Sequence, residues 1–425
     1  MPTLSQGSSL EAHAGTLACL PPIVMFVAKA FQRPDIPRAR QEAETLLRAG
    51  YPVFVFAWDR YSEFPPRDNV DGAVVCSFNR TKLGRFPRLG LALGGIIFQI
   101  VTLLGTLRLI RHLKQRPIVH AHDINTLLPG LLLRITGLCC GLVYDCRELT
   151  YGVYSEWFHP LLGAMLRILE ERCLPHVDAI ITVSDPIASY LRRFNPTTDV
   201  IYNCVRSDDI PRVSKREARI RLGLHPDIFT ISYVGTLRYD SRLDLLLSVA
   251  SLIENDNLRF VVVGSGPLAS EFEKAARKML DAPLFVFPQV PRETALLYIT
   301  ASDLCWVVYQ NPRLSLNSRV AMPWKFLESL ACGTPVIVER GSLRAQLVSK
   351  LKCGLVLESD APDHVYRALT SLAGDAARMQ GMRIGAREAA EQTYRWEAMA
   401  HRLLNVYKGL RPMENSRRQL LAKAT

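Results

Sequence analysis

The chain has 425 residues, 48% hydrophobic and 22% charged, a balance that excludes disorder along its whole length and suits two α/β domains of roughly 200 residues each. Its 52 Lys and Arg against 40 Asp and Glu give a net charge of +12, which favours anionic partners (nucleotide phosphates, acidic lipid headgroups or nucleic acid) without choosing among them. The ten cysteines contain no C-x-x-C, which argues against a zinc site or a disulfide framework and for a reducing compartment.

In chain order, Met1 to Leu20 lacks a basic stretch followed by a long apolar core, so no signal peptide is read and a cytoplasmic protein is expected. Residues 23–27 read as a strand and 38–48 as a helix ending at Gly50; 53–57 and 73–77 are further strands. Residues 89–107 then run without a charge, diluted by glycines, Gln99 and Thr102. Lys82, Arg85 and Arg88 precede this run, and Arg108, Arg111, Lys114 and Arg116 follow it. It just reaches the length of a membrane span. Three readings of the helix at about 89–110 stay open: a helix lying at the membrane surface, a buried core helix, or a true span. A span would have to separate strands that are expected to share one sheet.

Strands are expected next at 118–121, ending at His120 and His122, at 142–144, ending at Asp145, and at 179–183, ending at Ser184; 201–202 close the series. Short apolar runs separated by helices are the pattern of a parallel sheet covered on both faces, with ligands at the carboxyl ends of its strands. After a polar stretch at 206–216 a second series follows, at 230–234, 260–263, 284–287, 304–308, 335–338 and 354–357, with helices at 244–254 and 268–279 among others. The expected domains are 1–210, 211–395, a helix at 396–410 that can pack back on either domain, the first included, and a basic mobile tail at 411–425. The site is expected in the cleft between the two domains.

The most specific string is Met322-Pro323-Trp324-Lys325-Phe326-Leu327-Glu328-Ser329-Leu330-Ala331-Cys332-Gly333-Thr334-Pro335-Val336-Ile337. Pro323 suits the first turn of a helix, where its missing N–H costs nothing. Free amides and the positive end of the dipole there favour a diphosphate, and Lys325 adds charge. Glu328, one turn on, is placed to accept from ribose hydroxyls, and Gly333 ends the helix before a buried strand.

This string resembles the nucleotide-sugar site of family 4 glycosyltransferases, in the branch whose loop Ser315-Leu316-Asn317-Ser318-Arg319 leads into P-x-K-x-x-E. The resemblance extends to Tyr233-Val234-Gly235-Thr236-Leu237, Val262-Val263-Gly264-Ser265-Gly266-Pro267, Ile180 to Ser184 and Val200 to Asn203. It also takes in Ala57-Trp58-Asp59-Arg60, Val119-His120-Ala121-His122-Asp123 and Val143-Tyr144-Asp145-Cys146-Arg147-Glu148, so it covers nearly the whole chain. It implies an α/β fold of the GT-B type, with two Rossmann-like doubly wound domains facing a cleft. It also implies a retaining transfer from a UDP- or GDP-sugar and a donor ribose held by Glu328. The donor-binding set is then Gly235, Thr236, Arg238, Arg242, Gly264, Gly266, Asn317, Arg319, Pro323, Lys325 and Glu328. His122, Asp123, Arg147 and Glu148 are the catalytic candidates.

The chain departs from the family in three places. Val320 stands where many members carry a glutamate that handles the sugar, although this branch commonly lacks it. Thr236 follows Gly235 where a basic residue is usual, with Arg238 and Arg242 slightly out of register. Arg147 replaces the histidine of many relatives; an arginine cannot act as a base at neutral pH but can stabilise a developing charge. No cofactor and no metal are expected: Asp208 and Asp209 are adjacent in a polar linker, and the leaving diphosphate itself would help deprotonate the acceptor. The apolar helix with its basic rim suggests a lipid-linked acceptor or envelope glycan, and a peripheral place on the inner face of the cytoplasmic membrane. Two other readings are a catalytically weak scaffold, motivated by Val320 and Arg147, and a nucleotide-sugar epimerase of the same fold. Nucleic-acid binding has only the net charge behind it.

Overall fold

The computed structural model describes residues 20–33, 37–79, 87–157, 159–253, 257–279, 283–309 and 316–410. The leader reading at 1–19, the tail at 411–425, Lys82, Arg85 and Ser315 lie outside the described residues, as do the side chains of 87–93. Two sheets form. The first contains β1 (Ile23–Val27), β2 (Val53–Asp59), β3 (Arg67–Val70), β4 (Ala73–Asn79), β5 (Ile118–His122), β6 (Gly141–Cys146), β7 (Ala179–Thr182) and β8 (Thr198–Val200), in the order 3-4-2-1-5-6-7-8. The second contains β9 (Phe229–Val234), β10 (Leu258–Val263), β11 (Leu284–Phe287), β12 (Leu304–Trp306), β13 (Val336–Glu339) and β14 (Gly354–Leu357), in the order 11-10-9-12-13-14.

The pairings within both sheets are parallel except β3 on β4. All five residues of β1, Ile-Val-Met-Phe-Val, are buried, as expected of a strand covered on both faces. Strand order reverses beside β1 in one sheet and beside β9 in the other, which are the topological switch points of such folds.

Two strands differ from the sequence reading. β3 is a polar, largely exposed edge strand with no apolar run to announce it. The eighth strand is Thr198–Val200 rather than 201–202. Ile201 and Tyr202 are buried just beyond it: the Ile201 carbonyl accepts from Arg38 at 2.6 Å, and the Tyr202 amide faces the Met399 sulfur at 3.2 Å. Their hydrophobicity serves the packing under the last helix.

The apolar segment forms the helix Pro87–Leu113 between β4 and β5 of the same sheet, so it lies along that sheet rather than leaving it. Its inner side is small, polar or aromatic. A Cβ on Gly94 would come within 2.9 Å of the Trp58 ring and one on Gly105 within 2.4 Å of Phe56. Phe98 stacks on Trp58 at 5.8 Å between ring centroids, and Thr102 and Thr106 are buried. Its outer side carries Ile96, Ile97, Ile100 and Leu104, all exposed. The fully buried reading therefore fails: only 17% of the apolar window is buried, because glycines and threonines take the sheet-facing positions. Leu128, Leu132 and Ile135 on the helix Ile124–Ile135, and Leu161, Met165 and Ile168 on the helix Pro160–Cys173, are exposed as well.

The helix Trp396–Gly409 returns to the first domain. It buries Trp396, Met399, Leu403 and Tyr407, a single helical face, against the helix Pro37–Arg48. Trp396 donates to Thr45 at 3.2 Å, and the Tyr407 hydroxyl is hydrogen-bonded to His120 at 2.7 Å.

Candidate active site

Registers align the carboxyl ends of the first sheet: Val27 pairs with His122 and with Ala57, and His122 with Asp145. The residues just past these ends therefore converge. They are Lys29 after β1, Arg60 after β2, Asp123 after β5, and Arg147 with Glu148 after β6. Arg147 grips Asp123 in a two-pronged pair, with Nε donating to Oδ1 at 3.0 Å and Nη2 to Oδ2. Asp123 adopts φ +63°, an uncommon backbone state for a residue with a side chain and one that clusters at functional sites.

The charges set one another. Asp123 is buried, which alone would raise its pKa; Arg147 and Lys29 more than offset this and hold it below the usual carboxylate range. Arg147 and desolvation depress the Lys29 ammonium, against the pull of Asp123 and Glu148. Glu148 is exposed by its surface, yet desolvation at the crowded edge and then Asp123 raise its pKa, with Lys29, Arg147 and Arg238 pulling the other way. Arg238 follows β9, so the second domain reaches this edge from the opposite side.

His122 is not at that edge. It is wholly buried, with Nδ1 3.0 Å from Asp145 Oδ2 and Nε2 3.6 Å from Glu42. Alternation along β5 turns His120 and His122 to the interior, so of the neighbouring candidates His122 and Asp123 it is Asp123 that reaches the edge. Beneath the edge, Arg38 donates to both Asp145 oxygens at 2.8 and 2.9 Å. Glu42, His120, His122 and Asp145 place ligand-type atoms within 4.8 Å of one another. Arg38 is hydrogen-bonded to Asp145, the two imidazoles stack at 4.4 Å and 8°, and both Glu42 oxygens and the Nε2 atoms of His120 and His122 are buried without a hydrogen-bond partner.

At the second sheet's edge, Gly235 and Gly264 form interlocked turns. A Cβ on Gly264 (φ +151°) would fall 1.9 Å from the Gly235 carbonyl oxygen, and one on Gly235 (φ +142°) 3.4 Å from Lys325 Cε. Gly266 and the exposed Thr236 adjoin them. Lys325 Nζ lies 3.9 Å from the Tyr233 ring centroid and 5.4 Å from that of Tyr309. Lys325 and Glu328 sit on the helix Trp324–Ala331, for which Pro323 is the N-cap and no side chain caps the first amides, leaving the donors and dipole that bind anions.

The remaining sequence candidates separate. Asn317 donates to the Leu149 carbonyl of the first domain at 3.4 Å, and the Leu316 amide to Glu156 at 3.1 Å. Val320 is buried as a member of the first domain's hydrophobic cluster, which accounts for an apolar residue at this position. Arg242, in the left-handed region at φ +43°, pairs with Asp244 and Asp360. With Arg319 and Arg340 it lines a cavity of about 480 Å³ at the ends of β13 and β14. Tyr309 stands between that cavity and Lys325. Sequence reasoning missed Lys29 and Arg60, legible only as residues following strands, and Arg292, whose Nη1 donates to Glu328 Oε1 at 2.6 Å.

Residues 36–204 match the model of the glycosyl transferase 4-like domain, and residues 214–389 that of glycosyl transferases group 1. The chain is 31% identical over 214 residues to a D-inositol 3-phosphate glycosyltransferase of Thermomonospora curvata, covering 47% of each protein. It is 25% identical over 316 residues, 70% of this chain and 79% of the relative, to a GDP-mannose-dependent alpha-(1-6)-phosphatidylinositol monomannoside mannosyltransferase of Mycobacterium tuberculosis. The chain spans about half the length of the first curated relatives it matches. Among solved structures, a sucrose-phosphate synthase from Thermosynechococcus elongatus superposes with a TM-score of 0.72 at 19% identity, covering 95% of this chain and 100% of that one. That likeness concerns the fold.

Proposed function

The chain belongs to the family 4 glycosyltransferases of the GT-B fold, and on that premise we propose that it is a retaining transferase that moves a sugar from a UDP- or GDP-sugar to an acceptor. The observation that carries the reading is the helix Trp324–Ala331. Its uncapped amides, the Lys325 ammonium beside the Gly235 turn and the Glu328 carboxylate one turn on form a donor set for a diphosphate and a ribose.

In this reading the donor lies on the second domain and the acceptor meets it at the edge formed by Lys29, Asp123, Arg147 and Glu148. Arg147, fixed by Asp123, and Arg238 supply positive charge where the leaving diphosphate develops its own, and a preorganised cation needs no rearrangement as the bond breaks. The oxygen freed on the diphosphate takes the acceptor proton on the same face of the sugar, so retention follows without a carboxylate nucleophile. No metal ion and no cofactor enter this scheme, and turnover is expected to survive chelation by EDTA.

The exposed isoleucines and leucines of three adjacent helices, with Arg108, Arg111, Lys114 and Arg116 beside them, support an acceptor met at a membrane surface, lipid-linked or part of an envelope glycan. The enzyme would then sit peripherally on the cytoplasmic face.

Calorimetric binding of UDP and GDP to the wild type, Lys325→Ala and Glu328→Ala tests the reading. One nucleotide should bind selectively and lose at least about tenfold in affinity in each variant. Binding by neither nucleotide would overturn it in favour of a partner-binding scaffold. Interconversion of a nucleotide sugar with no acceptor present would overturn it in favour of an epimerase.

A further inference from the structure

Glu328 is not left to find its own rotamer. Arg292, the first residue of the helix Arg292–Ala301, donates from Nη1 to Glu328 Oε1 at 2.6 Å, and its guanidinium carbon stands 5.3 Å from the centre of the Trp324 ring. Trp324 and Glu328 are four residues apart on one helix, so they share a face, and Arg292 spans both. The ion pair is largely enclosed, with side-chain exposures of 24% for Arg292 and 13% for Glu328. Arg292 Nε and Nη2 are buried with no hydrogen-bond partner. A guanidinium therefore gives up two of its donors to hold one carboxylate oxygen against an aromatic face. Plain surface pairing does not call for that sacrifice, since an exposed Arg–Glu pair keeps its spare donors in water.

We infer that Arg292 is a positioning residue. By occupying Glu328 Oε1 it locks the carboxylate so that Oε2 is presented to the ribose of the donor nucleotide, and the site selects ribonucleotides over their 2′-deoxy counterparts. This rests on the reading above that Glu328 meets the ribose. A carboxylate fixed in advance loses no rotamer freedom on binding. A site built to hydrogen-bond a hydroxyl rejects the ligand lacking it, because the buried acceptor is then left unpaired.

The test is calorimetric affinity for UDP, GDP and their 2′-deoxy analogues, measured on the wild type, Arg292→Gln, Arg292→Lys and Glu328→Gln. The ribo-over-deoxyribo affinity ratio should fall about tenfold in both Arg292→Gln and Glu328→Gln. Arg292→Lys, which keeps a donor and a charge at that place, should retain most of it. A lower affinity alone would follow from any loss of packing; a collapsed ratio would not. If Glu328→Gln loses the ratio while Arg292→Gln keeps it, the positioning role is overturned and the ribose reading stands. If Glu328→Gln keeps the ratio, the ribose reading fails and the inference with it. If Arg292→Gln instead changes the preference between UDP and GDP at an unchanged ribose ratio, Arg292 reads the base and the inference is overturned.

Discussion

At the scale of single residues, the first domain holds its charges in two layers with different consequences. The upper layer is the Asp123–Arg147 pair. Arg147→Lys keeps the charge and loses the two-pronged grip, so kcat should drop about a hundredfold, the usual size for a misplaced electrostatic group, while nucleotide affinity holds. Steady-state kinetics beside nucleotide titration checks this, and an unchanged kcat would remove Arg147 from the reaction. The lower layer is Glu42, whose oxygens are buried and find no hydrogen bond although Arg38 Nε lies 3.0 Å from one of them. That guanidinium already serves Asp145, so burial wins and pushes the Glu42 pKa up to about 8. An acid whose folded pKa is raised contributes stability that is complete at low pH and is lost as pH climbs to the folded value. Below pH 6.5 the buried His120 and His122, both with lowered pKa, act in the opposite sense, and Glu170, pushed up to about 7, adds its own loss up to there. Between pH 7 and 8 Glu42 gives up its proton, and the buried cysteines, whose pKa values burial raises, add a loss in the same direction. Urea unfolding should show stability falling across that interval, and Glu42→Gln should make the fall shallower by at most about 1.4 kcal/mol per pH unit. A wild type whose stability holds level there would disprove the account.

At the scale of elements, the helix Pro87–Leu113 is the clearest case of a segment whose inward side is not its apolar side. Gly105 lets the helix settle on Phe56, so Gly105→Val should cost about 1–3 kcal/mol by overpacking. Phe98 is only 1% exposed, so a charge there would damage the fold and report nothing about membranes. Ile97→Asp and Ile100→Asp lie on the outer side. They should leave the melting temperature nearly unchanged and abolish co-sedimentation with vesicles rich in anionic lipid. Sedimentation that survives both would show that this face meets no bilayer. The sequence made this helix visible, as it did strands such as β1 and β10, because an apolar run reads the same in one dimension as in three. What it hid depended on partners distant in the chain. The β3 edge strand has no hydrophobic signature, Arg292 meets Glu328 across 36 residues, and Val320 makes sense only once the first domain's cluster is seen beside it. His122 shows a limit of another kind. Motif likeness singled out His122 and Asp123 together at one strand end, and only the direction of the side chain separated the buried histidine from the aspartate at the edge.

At the scale of the whole molecule, the two sheets are tied by chain that belongs to neither. One hydrophobic cluster runs from Val55 and Val143 of the first domain through Cys204, Tyr394, Trp396, Met399, Leu403 and Tyr407 to Val336 and Leu330 of the second. Where the domains join, Val205 and Arg395 form a bridge and the Trp396 amide donates to the Val205 carbonyl at 3.1 Å. Across the cleft itself Asn317 meets the Leu149 carbonyl, the Leu316 amide meets Glu156, and Val320 packs into the first domain's hydrophobic cluster. The largest shared apolar cluster thus runs through the last helix, which should couple the two domains. Thermal unfolding should accordingly be a single cooperative transition in the wild type. Leu403→Ala removes a fully buried side chain from the junction and should cost about 2–5 kcal/mol. Because its lost contacts hold the last helix, which follows the second domain in the chain, on the first domain, the calorimetric trace should split into two transitions, one per sheet, instead of shifting as a whole. A wild type that already melts in two steps would show that the last helix does not couple the domains. A Leu403→Ala trace that shifts without splitting would show that the coupling is spread more widely than this cluster.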